Sequence, residues 1–297
     1  MSHISYYKKN NWVNVYIGKF RLPPPKPKQF LLSKTRKQHH LLQKAVVFDL
    51  DGTLGSFGDL FHLWKGIQNI YSEFSDFYGL LDLYPEFLRN GILEILEFLV
   101  KKKKSGKCTK IYLYTNNQCA SYWAPLIANY FCYKINSPHF FDRIIRAFKI
   151  GNTIVEVSRT TNKKTYNDLI QCTMLPKSAE YCFIDDSEHS QMKHDKVYYI
   201  SPKPYNHNLT TNEIIERWVS SSLAKTCILL NSSSFWYQWF SMKGGKLTNE
   251  NNIINKDYDD YIKSVVYHKI VYHIKEFLLF TTMNSSSSRK TKKINVI

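Results

Sequence analysis

Lys44-Ala45-Val46-Val47-Phe48-Asp49-Leu50-Asp51-Gly52-Thr53 is the stretch on which the reading of the fold turns. After the opening lysine the run is apolar throughout and ends abruptly in acidic and glycyl residues. A strand with one wet face alternates polar with apolar, whereas a strand covered on both faces of a parallel sheet does not. The form returns in Lys110-Ile111-Tyr112-Leu113-Tyr114-Thr115, closed by Asn116-Asn117, and in Tyr181-Cys182-Phe183-Ile184-Asp185, closed by Asp186-Ser187. Val197-Tyr198-Tyr199-Ile200 is a weaker fourth. Helical spacing fills the gaps: Ile92, Leu93, Ile95, Leu96 and Leu99 give one apolar face, Trp123 to Phe131 a second and Tyr166 to Cys172 a third. Strands alternating with helices predict βαβ crossovers, so the expected class is α/β, a parallel sheet with helices on both faces.

The 297 residues suit one large domain, or an ordinary domain with extensions, and 43% hydrophobic residues are ample for a core. No run reaches the roughly 18 apolar residues of a membrane span. Lys8 and Lys9 stand where a signal peptide needs apolar residues, which predicts a soluble, intracellular protein of the cytoplasm or nucleus. The six cysteines include no Cys-x-x-Cys pair, so neither a disulfide framework nor a zinc knuckle is indicated.

The net charge of +17 is uneven. Residues 1–44 hold ten Lys or Arg and no acid, together with Leu22-Pro23-Pro24-Pro25-Lys26-Pro27, and read as a basic, extended arm over 1–43. Such an arm either attracts a polyanion, such as nucleic acid, or is a solvated leader. Residues 284–297, with Arg289-Lys290-Thr291-Lys292-Lys293, read as a disordered basic tail. Between the sheet-forming region, 44–210, and that tail lies a helical extension, 211–283. In it Asn212 to Leu230 is plausible as helix and Phe235 to Phe240 is strongly aromatic. Tyr258, Tyr261, Ile262, Val265, Val266, Ile270, Ile274, Phe277 and Leu278 recur at threes and fours, an amphipathic helix that needs either the body of this chain or another protein to cover it.

Ligands of open parallel sheets sit beyond the carboxyl ends of the strands, so the polar residues closing each run are the candidate site: Asp49, Asp51, Thr115, Asp185 and Asp186. A hard dication takes oxygen ligands and keeps several waters, so this is raw material for a Mg²⁺ site beside a phosphate site. Singly, Asp51-Gly52 is a common turn and Asp185-Asp186-Ser187 could cap a helix.

As an ordered set these residues resemble the haloacid dehalogenase superfamily of phosphohydrolases. Asp49-Leu50-Asp51-Gly52-Thr53 is similar to its first motif, Thr115 to the second, Lys164 (or Lys163) to the third and Asp185-Asp186 to the fourth. Several stretches resemble the small C-terminal-domain phosphatases and their NLI-interacting-factor relatives. They are Leu88-Arg89-Asn90-Gly91-Ile92, Thr115-Asn116-Asn117-Gln118 before Tyr122-Trp123-Ala124-Pro125, Phe140-Phe141-Asp142-Arg143, and Lys164-Thr165-Tyr166-Asn167-Asp168-Leu169. The chain departs from that subfamily at Gly52, usually Glu, at Asn90, usually Pro, and at Asn116, usually Ala. The resemblance covers roughly residues 44–206.

The resemblance implies a Rossmann-like fold and Mg²⁺-dependent phosphate ester hydrolysis through an aspartyl phosphate. Asp49 would be the nucleophile and Asp51 the acid and base. Thr115, Asn116 and Lys164 would bind the phosphoryl group. Asp49, Asp51 through its carbonyl oxygen, and Asp185 or Asp186 would hold the metal, Asp186 directly with Asp185 in support. Between Leu54 and Arg89 only thirty-four residues intervene, too few to build a large cap domain with its own core. An open site favours a phosphorylated macromolecule, first a phosphoprotein at serine or threonine. A polynucleotide 3′-phosphate, gripped with help from the basic arm, is the alternative, and an inert binding module the second alternative.

Overall fold

The computed structural model describes residues 43–225, 232–242, 256–279 and 294–296. In chain order its strands are β1 (Lys44–Phe48), β2 (Lys110–Tyr114), β3 (Arg143–Ile145), the antiparallel pair β4 (Lys149–Ile150) and β5 (Thr153–Ile154), β6 (Glu180–Ile184), β7 (Val197–Pro202) and β8 (Ile294–Val296). The helices are α1 (Gly58–Ile70), α2 (Phe77–Asp82), α3 (Ile92–Lys104), α4 (Trp123–Lys134), α5 (Tyr166–Thr173), α6 (Thr211–Ser220), α7 (Ser222–Lys225), α8 (Ser233–Met242) and α9 (Lys256–Leu279). Five strands form a parallel sheet in the order β3-β2-β1-β6-β7, and β8 extends it beside β7.

The α/β class read from the sequence is what the chain adopts, and the reason lies in strand alternation. Val46, Phe48, Ile111, Leu113, Cys182 and Ile184 point into one core, shared with α1 to α4, α6, α8 and α9. Their neighbours Ala45, Val47, Tyr112, Tyr114, Tyr181 and Phe183 point into a second core against Tyr166, Leu169 and Cys172 of α5. Both faces are dry, hence the unbroken apolar runs. Each fully buried aliphatic or phenyl side chain contributes about 1.5 to 3 kcal/mol. From β1 the chain moves outward through β2 to β3, then returns to the other side of β1 as β6. The strand order therefore reverses between β1 and β6, the topological switch point at which such sheets bind ligands.

The segment between Leu54 and Arg89 carries α1 and α2, and its apolar residues Leu60, Leu63, Trp64, Ile67, Phe77 and Leu80 belong to the main core rather than to one of their own. Gly91 opens α3 in the left-handed conformation, φ +72°, and a Cβ there would stand 2.2 Å from the ring of Tyr267 in α9. The glycine lets the turn approach that helix closely.

The amphipathic helix expected near the end of the chain is α9, and this chain's own body covers it. Val266, Ile270, Ile274, Phe277 and Leu278 enter the main core, Tyr261 stays exposed, and Lys44 at the start of β1 donates to the Phe277 carbonyl at 2.5 Å. The aromatic run forms α8, which buries Trp236 against Trp218 with ring centroids 6.1 Å apart. α6 begins with a capping box between Thr210 and Glu213, but the helix expected over Asn212 to Leu230 breaks at Ser221 and resumes as α7. Residues 226–231, the arm through residue 42 and most of the tail lie outside the described residues. Within the tail expected to be disordered, Ile294–Val296 instead pairs with Ile200–Pro202 of β7. Among the described residues no helix is long and apolar enough to cross a membrane.

Candidate active site

Strand register brings the acids together. Phe48 pairs with Ile184, and the next backbone amide, that of Asp49, donates to the Ile184 carbonyl at 2.9 Å. Asp49 and Asp185 are thereby side by side at the carboxyl ends of β1 and β6, on either side of the switch point. One carboxylate oxygen from each of Asp49, Asp185 and Asp186 lies within 4.8 Å of the others. Asp185 is fully buried, Asp49 is 8% exposed and Asp186 is half-buried.

Lys164 reaches into this group from two residues ahead of α5. Its Nζ lies 2.5 Å from Asp49 Oδ1 and 2.6 Å from Asp185 Oδ2. The local sequence holds it there. Thr165 caps α5 by accepting from the Asp168 amide at 3.0 Å, and its own amide donates to the Tyr114 hydroxyl of β2 at 3.2 Å. Of the two lysines the sequence left open, Lys164 stands among the acids and Lys163 is exposed. His189 adds a nitrogen 3.2 Å from Asp185 Oδ2, and the Ser187 amide donates to the other oxygen at 2.9 Å.

Asp51 stands apart from the carboxylate triad. Its Oδ2 accepts from Asn117 Nδ2 at 2.7 Å, while the Asn117 amide donates to Thr115 Oγ1 at 2.9 Å. Cys119 N donates to Asn117 Oδ1 at 3.0 Å, which orients the carboxamide so that its NH₂ faces Asp51. Thr115 is buried at the end of β2, and Asn116 beside it accepts from Arg159 at 2.8 Å. The turn after β1 is shaped by Gly52, whose φ is +74° and whose added Cβ would stand 2.5 Å from Asp186 Oδ2. Thr53 Oγ1 donates to Asp186 Oδ1 at 2.9 Å, and Arg89 secures the same turn by donating to the Thr53 carbonyl at 2.6 Å.

The electrostatics follow from three carboxylates facing one ammonium. Burial pushes the Asp49 carboxyl up to about 8, with Lys164 opposing and Asp185 reinforcing. Burial also raises Asp51 against the Asn117 hydrogen bond, and raises Asp186 against that from Thr53. For Asp185 burial acts upward too, but Lys164 and His189 outweigh it and hold the group below its ordinary value. Lys164 is desolvated yet held above its ordinary value by Asp49 and Asp185. The centre is short of positive charge and offers only oxygen donors at converging positions, which suits a hard divalent cation. A cation there would neutralise the carboxylate that burial now penalises.

Every residue singled out at the strand ends lies at this end of the sheet. Asp49, Asp185, Asp186 and Lys164 form its centre, Thr115 and Asp51 are joined through Asn117, and Asn116 is turned toward Arg159. Arg159 belongs to no apolar run or motif, and His189, as one of several scattered histidines after Asp185-Asp186, carries no role in the sequence; only the folded loops bring the two in. Asn117 was visible within a motif-like stretch but had no partner to give it a role. No family model matches this chain, and neither does any curated protein.

Proposed function

We propose that this protein is a Mg²⁺-dependent phosphohydrolase of haloacid dehalogenase type that works through an aspartyl phosphate on Asp49 and acts on phosphoserine or phosphothreonine in proteins. The observation that carries this reading is the buried grouping of Asp49, Asp185 and Asp186 around Lys164 at the switch point, with Asp51 two residues beyond Asp49.

In this reading a carboxylate oxygen of Asp49 attacks phosphorus, and the bond to the leaving oxygen breaks as Asp51 supplies its proton. Asp51 then takes a proton from the water whose attack on phosphorus frees Asp49. Thr115, Asn116 and Lys164 hold the phosphoryl oxygens in line. Asp49, Asp186 with Asp185 in support, and the Asp51 carbonyl oxygen would hold the Mg²⁺, which when bound would supply the charge that screens one anion from the other. The raised pKa of Asp51, which burial causes, suits a group that must carry a proton to a leaving oxygen near neutral pH. Support for a macromolecular substrate comes from α1 and α2, which are packed into the main core instead of forming a lid of their own.

The test is phosphate release, with and without Mg²⁺, from a generic aryl phosphate, a panel of phosphoserine and phosphothreonine peptides, and 3′-phosphorylated oligonucleotides. Mg²⁺-dependent turnover of the peptides, abolished by Asp49→Asn, is expected. Turnover of the oligonucleotides alone would move the assignment to a polynucleotide 3′-phosphatase, and silence on all three substrates would sink it.

A further inference from the structure

We propose that Arg159 is a positioning residue that locks the loop after β2 to the segment delivering Lys164; its catalytic consequence rests on the phosphohydrolase reading above. Arg159 is 2% exposed and lies outside every motif-like stretch of the sequence. Among the described residues it pairs with no carboxylate: the guanidinium donates to oxygens of the loops after β2 and β3 and of the segment ahead of α5. Nη1 donates to the Thr115 carbonyl at 3.1 Å and the Arg146 carbonyl at 2.8 Å, the residues that follow β2 and β3. Nη2 donates to Asn116 Oδ1 at 2.8 Å, and to the carbonyls of Lys163 at 3.1 Å and Asn162 at 3.3 Å, the two residues that lead into Lys164. The plane of the group rests over the Tyr114 ring, 4.8 Å from its centroid. Tyr114 in turn accepts from the Thr165 amide.

One planar fork thus meets the backbone of Thr115, the side chain of Asn116 and the carbonyl adjoining Lys164. These are the groups assigned to the phosphoryl oxygens. Loop carbonyls at the end of a buried sheet need donors, and a rigid fork that serves several fixes their mutual distances as well. Lysine has a point charge without the planar fork, so Arg159→Lys keeps the charge and loses the geometry. The second anchor of the same segment is distinct: Thr160 donates through its amide and hydroxyl to Asp168 Oδ1, at 3.1 and 2.8 Å, and does not involve Thr115. Thr160→Val therefore loosens the segment from α5 without uncoupling it from β2, and serves as the control.

The full chain is compared as wild type, Arg159→Lys, Arg159→Ala and Thr160→Val, at a temperature where each is folded by circular dichroism. Amide exchange read by mass spectrometry is expected to accelerate together in 115–119 and 160–165 in the Arg159 variants. Unchanged exchange in either segment would overturn the proposal, whether or not the protein turns over phosphate esters. With an aryl phosphate and Mg²⁺, Arg159→Lys is expected to lower kcat by about 10²-fold with KM within about twofold, the scale of an ångström-sized misplacement. Guanidinium ion is expected to restore part of kcat to Arg159→Ala while methylammonium does not. Equal losses of kcat in Thr160→Val and Arg159→Lys would reduce Arg159 to a merely structural role. Absence of turnover in the wild type would remove the phosphohydrolase reading, leaving the exchange data to decide the coupling.

Discussion

Asn117 donates to Asp51 at 2.7 Å across sixty-six residues of sequence, joining the loop after β2 to the turn after β1. Because the Cys119 amide holds Asn117 Oδ1, the carboxamide has one orientation, and the Asp51 oxygen that it binds is the one that keeps no proton. The contact also fixes how closely Thr115 approaches Asp51, since the Asn117 amide donates to the Thr115 hydroxyl.

Lys164 and Lys163 are neighbours with opposite expected consequences. Removing the Lys164 charge takes the ion-pair partner from the fully buried Asp185 carboxylate, and Lys164→Met should cost about 3 to 5 kcal/mol in urea unfolding at pH 7. Lys163 is exposed, so Lys163→Met should lie within about 0.5 kcal/mol of wild type. Equal effects would contradict the packing around Lys164.

Divalent cation and pH are linked through Asp49. Its carboxyl titrates at about 8 in the folded protein against an ordinary value of 3.8, so between these values the folded state keeps a proton that the unfolded chain has lost. Stability of the cation-free protein should therefore fall as pH rises from about 4 to 8. Mg²⁺ bound at Asp49 displaces that proton, so the rise in Tm on adding millimolar Mg²⁺ should be larger at pH 8 than at pH 6, and binding at pH 7 should release protons. An increment equal at both pH values, or one that persists in Asp49→Asn, would count against the site.

Gly52→Ala tests the turn after β1. The left-handed φ costs an L-residue about 1 to 2 kcal/mol, and the new Cβ would meet Asp186, which Thr53 prevents from swinging freely. Chemical denaturation should show that loss. Titration with Mg²⁺ should show a smaller stabilisation than in wild type, because Asp186 must move.

Asp142 supports the sheet from its edge. It accepts from Lys103 at 2.6 Å, from Lys110 at 2.9 Å and from the Ile111 amide at 2.8 Å. Burial opposes its charge, but Lys103 and the Ile111 amide prevail, leaving the carboxyl below its ordinary value of 3.8. A lowered carboxyl contributes stability above the unfolded value and loses it as pH falls through the folded one. Asp142→Asn should therefore cost about 1.5 to 3 kcal/mol at pH 7, and the two unfolding curves should draw together as pH falls below the ordinary carboxylate range. A difference that does not shrink on acidification would assign the effect to packing.

What could be read in advance was whatever a strand states by itself. β1, β2, β6 and β7 are buried on both faces, so their composition announces them, and the residue after each is fixed at the sheet's end. β3 went unread because it is three residues long and begins with Arg143, whose guanidinium donates to Glu156 and to the Cys172 carbonyl. Leu60, Leu63, Trp64 and Ile67 recur at threes and fours and mark the face of α1, a helix that the length of its segment alone does not announce. The partners of Asn117, Arg159 and His189 are chosen by loop convergence in three dimensions, and no periodicity encodes a convergence.

The clamp between Lys44 and Phe277 joins residues 233 apart. During synthesis the central strand leaves the ribosome more than two hundred residues ahead of the helix that seals its far end. Until then the nascent chain carries a greasy seam where Val266, Ile270 and Ile274 will lie. A product released early by a stop codon near position 250 would keep the acids at the strand ends and lose its cover, and would be handed to chaperones and proteases rather than accumulate.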